Sequence, residues 1–235
     1  MNLVLKKDLM EKIINLIFPP VCGFCNKINE NFICEKCKEK FKYIKISQID
    51  DYSKQPVYFD EHYYMFKYEK DVRDNILKYK FGEKSYMYKS YSRLFFYDDV
   101  FKNQFIGKYD YIISVPLHKK RLRKRGYNQS KLIARDIMKL FNKEDNINNS
   151  TIKYLDNVII KNKNIVAQSS LTDKLERIKN AKNAFDIGLN IDKIKDKKIA
   201  IFDDIFTTGA TVNECAKILK KFGVKYVGIF TIAKA

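Results

Sequence analysis

Residues 201–211 read Ile-Phe-Asp-Asp-Ile-Phe-Thr-Thr-Gly-Ala-Thr, and this stretch decides the fold. Lys197 to Phe202 forms the apolar run of a buried strand, while Val212, Cys215, Ala216, Leu219 and Phe222 recur at helical steps with Gly223 placed as a C-cap. The segment between them therefore joins a strand to a helix. Backbone N–H groups of Thr207, Thr208, Gly209, Ala210 and Thr211 can converge there on an anion at the helix N-terminus, and Gly209 lets the backbone come close. Neither the Walker spacing nor G-x-G-x-x-G is present. Adjacent carboxylates repel, so Asp203 and Asp204 require something that rewards paired negative charge: a sugar diol, whose hydroxyls need acceptors, or a Mg2+ beside it. Phosphate on the threonine loop and diol on the carboxylates together describe a ribose 5-phosphate. A simple Asp turn with an N-cap accounts for one Asp and one Thr but not for the full string.

Working outward, Asp110–Val115 reads as another buried strand, Asn128–Leu140 as a helix, Tyr154–Ile160 as a strand and Val224–Ile232 as a last one. Strands alternating with helices imply a parallel α/β sheet whose ligands bind at the carboxyl ends of the strands. Upstream, residues 56–68 suggest a hairpin around Asp60-Glu61, and Asp71–Lys80 and Ser85–Phe101 suggest two helices. Lys40–Ser53 has no clean period, and Asn142–Ser150 reads as a surface insertion. The abundant Tyr and Phe fit core and cover better than a base-stacking platform. These readings divide the chain into an N-terminal helix with a cysteine module (1–45), a cover segment (46–108) and an α/β core (109–235).

Four of the five cysteines fall as Cys22-x2-Cys25-x8-Cys34-x2-Cys37. Each Cys-x2-Cys pair can aim two thiolates at one ion, and two pairs complete a tetrahedral sulfur shell, so a structural Zn2+ is expected. The alternative is a pair of disulfides, which a reducing cytoplasm disfavours. The first twenty residues read as a short amphipathic helix stopped by Pro19-Pro20, not as a secretory signal, and no run is long enough to span a membrane. A cytoplasmic location is the expectation. A net charge of +18 favours phosphate-bearing partners, although part of it follows the Lys- and Asn-rich usage of an AT-rich coding sequence.

With these residues in view, the sequence resembles a known family. IFDDIFTTGAT looks like the phosphoribosyl pyrophosphate signature of the type I phosphoribosyltransferases. The segment 114–130, SVPLHKKRLRKRGYNQS, is similar to the V-P-L-H…R-x-R-G-[FY]-N-Q string of the ComF family of competence-associated proteins. The cysteine module, the Lys80-Phe81-Gly82 turn and the order Gln168, Arg177, Asn180, Phe185 complete that layout. The resemblance implies a type I phosphoribosyltransferase fold with a small zinc module. It implies that Asp203 and Asp204 accept the ribose 2′- and 3′-hydroxyls and that Thr207–Thr211 hold the 5-phosphate. Pro116, Leu117, His118 and Lys119 then belong to a diphosphate loop. Arg125, Gly126, Asn128 and Gln129 match the family string, with Arg125 facing the diphosphate or holding the loop. Gln168 is implied as a substrate contact, and Arg177 joins the aspartates as a catalytic residue. Lys161 and Ile165 stand where many members carry Arg and Thr, which weakens the expected clamp on pyrophosphate.

The implied chemistry is glycosyl transfer from Mg2+-phosphoribosyl pyrophosphate with release of pyrophosphate, in a setting of DNA uptake. A second class of function stands beside it. The chain could be a non-catalytic accessory protein that binds single-stranded DNA or a competence helicase, with the pocket kept as a sensor or scaffold.

Overall fold

The structure is a computed structural model that describes residues 16–82, 84–143, 152–162 and 184–235. After the cysteine module come α1 (Glu35–Ile44), β1 (Gln48–Asp51), β2 (Glu61–Lys67), α2 (Lys70–Phe81), α3 (Met87–Phe96) and α4 (Asp99–Phe105). Then follow β3 (Tyr111–Ser114), α5 (Lys119–Arg125), α6 (Gln129–Phe141), β4 (Lys153–Tyr154), β5 (Ile159–Lys161) and β6 (Phe185–Ile187). The chain continues through β7 (Lys198–Phe206), α7 (Ala210–Lys221) and β8 (Tyr226–Lys234). The main sheet has the order β1-β2-β8-β7-β3-β4. Its pairs are parallel except at the β1–β2 edge. The expected α/β architecture with a mostly parallel sheet is thus borne out.

Both faces of the sheet are covered, which explains why its central strands carry consecutive apolar residues, as at Ile199–Phe202 and Ile229-Phe230, rather than alternate ones. Ala200, Phe202, Phe230 and Ile232 point into one core with the aromatic faces of α3, α4 and α6. Ile199, Ile201, Val227 and Ile229 point into the other, beneath α7. The first core is built of rings: Phe95, Phe101, Phe105 and Phe230 are fully buried, with Phe230 edge-on to Phe101 at 5.5 Å and to Phe105 at 5.4 Å. Burying one such ring contributes about 1.5–3 kcal/mol.

Several expected elements take a different form. The hairpin partner of β2 is β1, not residues 56–59; β2 goes on to pair β8 in parallel and joins the main sheet. The helix expected over 85–101 breaks at Asp98, whose carboxylate accepts from Phe101 N at 2.7 Å and caps α4. That carboxylate also takes Lys45 Nζ and Ser47 Oγ, each at 2.6 Å, and Tyr63 Oη at 3.0 Å. Tertiary bonding there outweighs continuous helical periodicity. The strand expected over 154–160 divides, with Asn157 at φ +59° turning the chain from β4 into β5, which pairs β6 in a separate antiparallel ribbon. Strand β7 runs through the acidic pair to Phe206.

Candidate functional site

Strand β3 sends the chain outward through α6 to β4, and β7 sends it the other way through α7 to β8. The gap between β3 and β7 is therefore a topological switch point, where open parallel sheets bind ligands. A cavity of about 290 Å3 lies there, at the carboxyl ends of the strands. Asp203 and Asp204 form its floor, Val115-Pro116-Leu117 one wall and Thr207 and Thr211 another.

The acidic pair is held in detail. Asp203 accepts from Ser130 Oγ at 3.1 Å and from the Asp204 backbone N–H at 2.9 Å. Lys80 Nζ, from the last turn of α2, lies 2.8 Å from Asp204 Oδ1, with both side chains largely buried. Burial, and then the neighbouring Asp204 charge, push the Asp203 carboxyl up to about 7, against the opposing pull of Lys80. The repulsion raised by the sequence is thus met by a lysine and by partial retention of a proton. Arg73, Arg121, Arg125 and Lys161 join Lys80 around the cavity, so five cationic side chains face two carboxylates and the site as a whole attracts anions. Burial and the adjacent Arg121 lower the Lys161 ammonium. Burial and Arg125 lower the Arg121 guanidinium in the same way. Cations crowded against one another in this manner gain when an anion enters.

The threonine loop is stiffened from behind. Gly209 sits at φ +72°, and a Cβ there would come within 2.6 Å of the Phe206 ring. Phe206 stacks on His62 at 4.1 Å, and His62 on Tyr64 at 5.1 Å. Burial pushes the His62 imidazole down to about 3, so the ring is neutral and serves as packing. Thr208 Oγ1 accepts from Ala210 N at 3.3 Å, closing the turn into α7.

The residues singled out from sequence divide between two neighbouring cavities. Asp203, Asp204, Thr207, Thr211, Pro116, Leu117, Arg125 and Gln129 line the acidic cavity. Lys119, Gly126 and Asn128 line a larger cavity of about 870 Å3 on the far side of the 116–117 segment. Asn128 itself caps α6 through Lys131 N at 3.1 Å and ties the loop by donating to Val115 O at 2.9 Å. His118 faces neither space; its Nδ1 accepts from Lys120 N at 3.2 Å and caps α5. Thr208, Gly209 and Ala210 shape the loop without lining the cavity. Arg125 donates to Gln129 Oε1 at 2.7 Å and lies over the Phe81 ring at 5.1 Å. Gln129 is almost fully buried, and its Nε2 finds no hydrogen-bond partner among the described residues. An orphan donor on a cavity wall is costly unless a ligand satisfies it. Gln168, Arg177 and Ile165 lie outside the described residues. Sequence reasoning missed Arg73 and Ser130, and it saw Lys80 only as part of a family string. The spacing of Arg73, Leu77, Lys80 and Phe81 along one face of α2 was the available signal.

At the other end of the chain the four cysteines do converge. Their Sγ atoms all lie within 4.8 Å of one another, with Cys25 and Cys34 at 3.6 Å. Asn26, at φ +63°, turns the first pair, its N–H reaching Cys22 O at 2.8 Å. Cys34 occupies the N-cap of α1 and Cys37 its first turn. No disulfide joins the five cysteines, and four of their sulfurs gather into one cluster, the arrangement a single ion requires. The module docks on α3, where Gly23 N donates to Ser90 Oγ at 2.9 Å and Phe24 meets Tyr91 edge-on at 5.2 Å.

A parallel α/β sheet with an acidic pair and a threonine loop at its switch point, preceded by a four-cysteine module, is the layout expected of ComF-like proteins. Comparison with known proteins bears the resemblance out along most of the chain. It is 27% identical over 218 residues to competence protein F of Haemophilus influenzae, covering 92% of this chain and 90% of that protein. It is 29% identical over 157 residues to DNA utilization protein YhgH of Escherichia coli O157:H7, covering 66% of this chain and 63% of that one. A shorter match, 43% over 58 residues, joins 24% of this chain to 20% of a ribose-phosphate pyrophosphokinase of Methanobrevibacter smithii. Among solved structures, a purine phosphoribosyltransferase from Pyrococcus horikoshii aligns with 66% of this chain and 85% of its own at 14% identity and a TM-score of 0.32, too slight to carry argument. No family model matches the chain. No helix among the described residues is long and apolar enough to cross a membrane.

Proposed function

We propose that the acidic cavity binds phosphoribosyl pyrophosphate with Mg2+, and that the protein is a phosphoribosyltransferase-like member of the DNA-uptake machinery. One observation carries this reading. Paired carboxylates, a threonine loop and an excess of cations meet at a single switch point beside an orphan Gln129 donor. In this assignment Asp203 and Asp204 accept the ribose hydroxyls, and Thr207 and Thr211 donate to the 5-phosphate. Arg121, Arg125 and Lys161 face the diphosphate, Arg121 and Arg125 offering forked donors and Lys161 a point charge. Carboxylate oxygens are hard donors of the type Mg2+ takes, and the ion would neutralise charge on the departing pyrophosphate. What the chain itself supplies is orientation of the sugar and a cationic wall on the leaving-group side.

The test is calorimetry with phosphoribosyl pyrophosphate and Mg2+. Saturable binding is expected for the wild-type protein and none for the doubly substituted Asp203→Asn, Asp204→Asn protein. Equal binding by both, or no binding by wild type, overturns the assignment.

The cysteine cluster we assign to one structural Zn2+. A tetrahedral shell with Zn–S bonds of about 2.3 Å separates its sulfurs by about 3.8 Å, which the observed cluster accommodates. The relatives named for competence and DNA utilization favour a second reading, a DNA-handling protein without turnover. Helix α5, KKRLRKR, offers it a basic surface. Pyrophosphate release assayed across candidate acceptors separates the two: release supports the transferase, and binding without release supports the accessory role.

A further inference from the structure

The reading above leaves most of the larger cavity unused. It measures about 870 Å3, within the range of small-molecule sites and well beyond what one sugar phosphate fills. It shares Pro116, Leu117 and Lys161 with the acidic cavity, residues that stand on the diphosphate side of the proposed substrate. Displacement at the sugar C1 needs the incoming atom aligned opposite the leaving group. An acceptor would thus approach from the α2 side, and the larger cavity is not its subsite.

Its walls describe a different ligand. Leucines from α5, α6 and the turn after β4 give it apolar surface: Leu122, Leu132 and Leu155. Lys119, Lys131, Arg135 and Lys161 face it against one acid among the described residues, Asp156, which Lys131 already pairs. The Arg135 guanidinium lies over the Tyr154 ring at 5.8 Å, and Tyr154 Oη is fixed by Ser114 Oγ at 3.0 Å. A neutral apolar ligand would leave three cations uncompensated, and inorganic phosphate would leave the apolar and aromatic walls wet. A ligand that meets both demands carries negative charge at one end and a planar ring at the other. We propose that this cavity binds a mononucleotide, its base against the Tyr154–Arg135 pair and its phosphate toward Lys119 and Lys161. The ring then gains stacking and cation–π attraction, and the phosphate gains two ammonium groups.

The proposal is tested by calorimetry of the full chain with AMP and with CMP, without phosphoribosyl pyrophosphate. One-to-one saturable binding is expected, weakened at least tenfold by Arg135→Ala. Arg135 is exposed, so this variant is expected to fold, and its binding of Mg2+-phosphoribosyl pyrophosphate should stay within twofold of wild type. Tyr154→Leu is the second variant, expected to lose nucleotide binding to a similar degree. Nucleotide binding that Asp203→Asn removes and Arg135→Ala spares would place the nucleotide in the acidic cavity and overturn the proposal. So would binding of oligonucleotides alone, or no mononucleotide binding at millimolar concentration. Because no arm depends on phosphoribosyl pyrophosphate for its readout of nucleotide, failure of that earlier assignment stays separate from failure of this one.

Discussion

Replacing Asp203 by Asn should stabilise the ligand-free protein at pH 8 while abolishing its proposed ligand binding. The Asp203 carboxyl is held at about 7 in the folded protein against an ordinary value of 3.8, chiefly by burial and then by Asp204. A folded value above the unfolded one means that the folded state keeps its proton to higher pH. The associated stability is full below about pH 4 and is lost as pH rises through about 7. A gap of about three units corresponds to about 4 kcal/mol, and the partial solvent access of the pair reduces this to about 2–3 kcal/mol. Asparagine removes the charge yet still accepts from Ser130 Oγ and the Asp204 N–H, so the local hydrogen bonds survive. Urea unfolding at pH 5 and pH 8 measures the effect. Wild type should lose stability between the two, and the variant should lose about 1–2 kcal/mol less, because part of the effect is already gone between about pH 4 and pH 5. Equal pH dependence in the two proteins would refute the electrostatic account of the pair, as would a variant less stable than wild type at pH 8.

Two further outcomes are expected. Protein purified under reducing conditions should carry one Zn2+ per chain by metal analysis, and chelation should lower the thermal midpoint by freeing the module from α3; metal-free protein with an unchanged midpoint would refute the site. Asp98→Ala removes the α4 cap and strands Lys45 and Tyr63 Oη, so urea unfolding should show a loss of about 3–5 kcal/mol. Burial raises that carboxyl, but the bonds from Lys45, Ser47 and Phe101 N prevail and hold it below the ordinary range. Its contribution is therefore present at neutral pH and fades as pH falls through the acid range, and a loss under 1 kcal/mol at pH 7 would contradict it.

The parallel core was legible because its strands are buried on both faces. Runs such as Ile199–Phe202 carry no polar residue to confuse the reading, and the helices that follow keep a clean period. The cysteine cluster was legible because two pairs separated by eight residues have little else to do. Legibility failed where long-range bonding overrode local pattern. Nothing near Asp98 announces that Lys45, Ser47 and Tyr63 will converge on it and split a helix. Strand β1 carries two aspartates in four residues, in a stretch with no clean period, yet it pairs β2 because β2 is anchored on β8. At the site, motif residues were found by their order, but His118 caps a helix instead of facing the cavity, since sequence order fixes a residue's place on a loop and not the direction of its side chain.

The paired aspartates show how far local reading can go before topology must supply the rest. From sequence alone their repulsion calls for an external partner, a diol or a cation. In the folded chain part of that partner is internal: Lys80 reaches Asp204 from a helix more than a hundred residues upstream, and burial leaves Asp203 able to hold a proton near neutrality. The diol reading survives because Lys80 contacts one carboxylate oxygen of the pair and leaves the cavity cationic overall. An isolated acidic pair would select a cation. Set among five cationic side chains beside a threonine loop, the same pair becomes a local acceptor within an anion site, and only a ligand that carries both hydroxyls and phosphates satisfies the two parts at once.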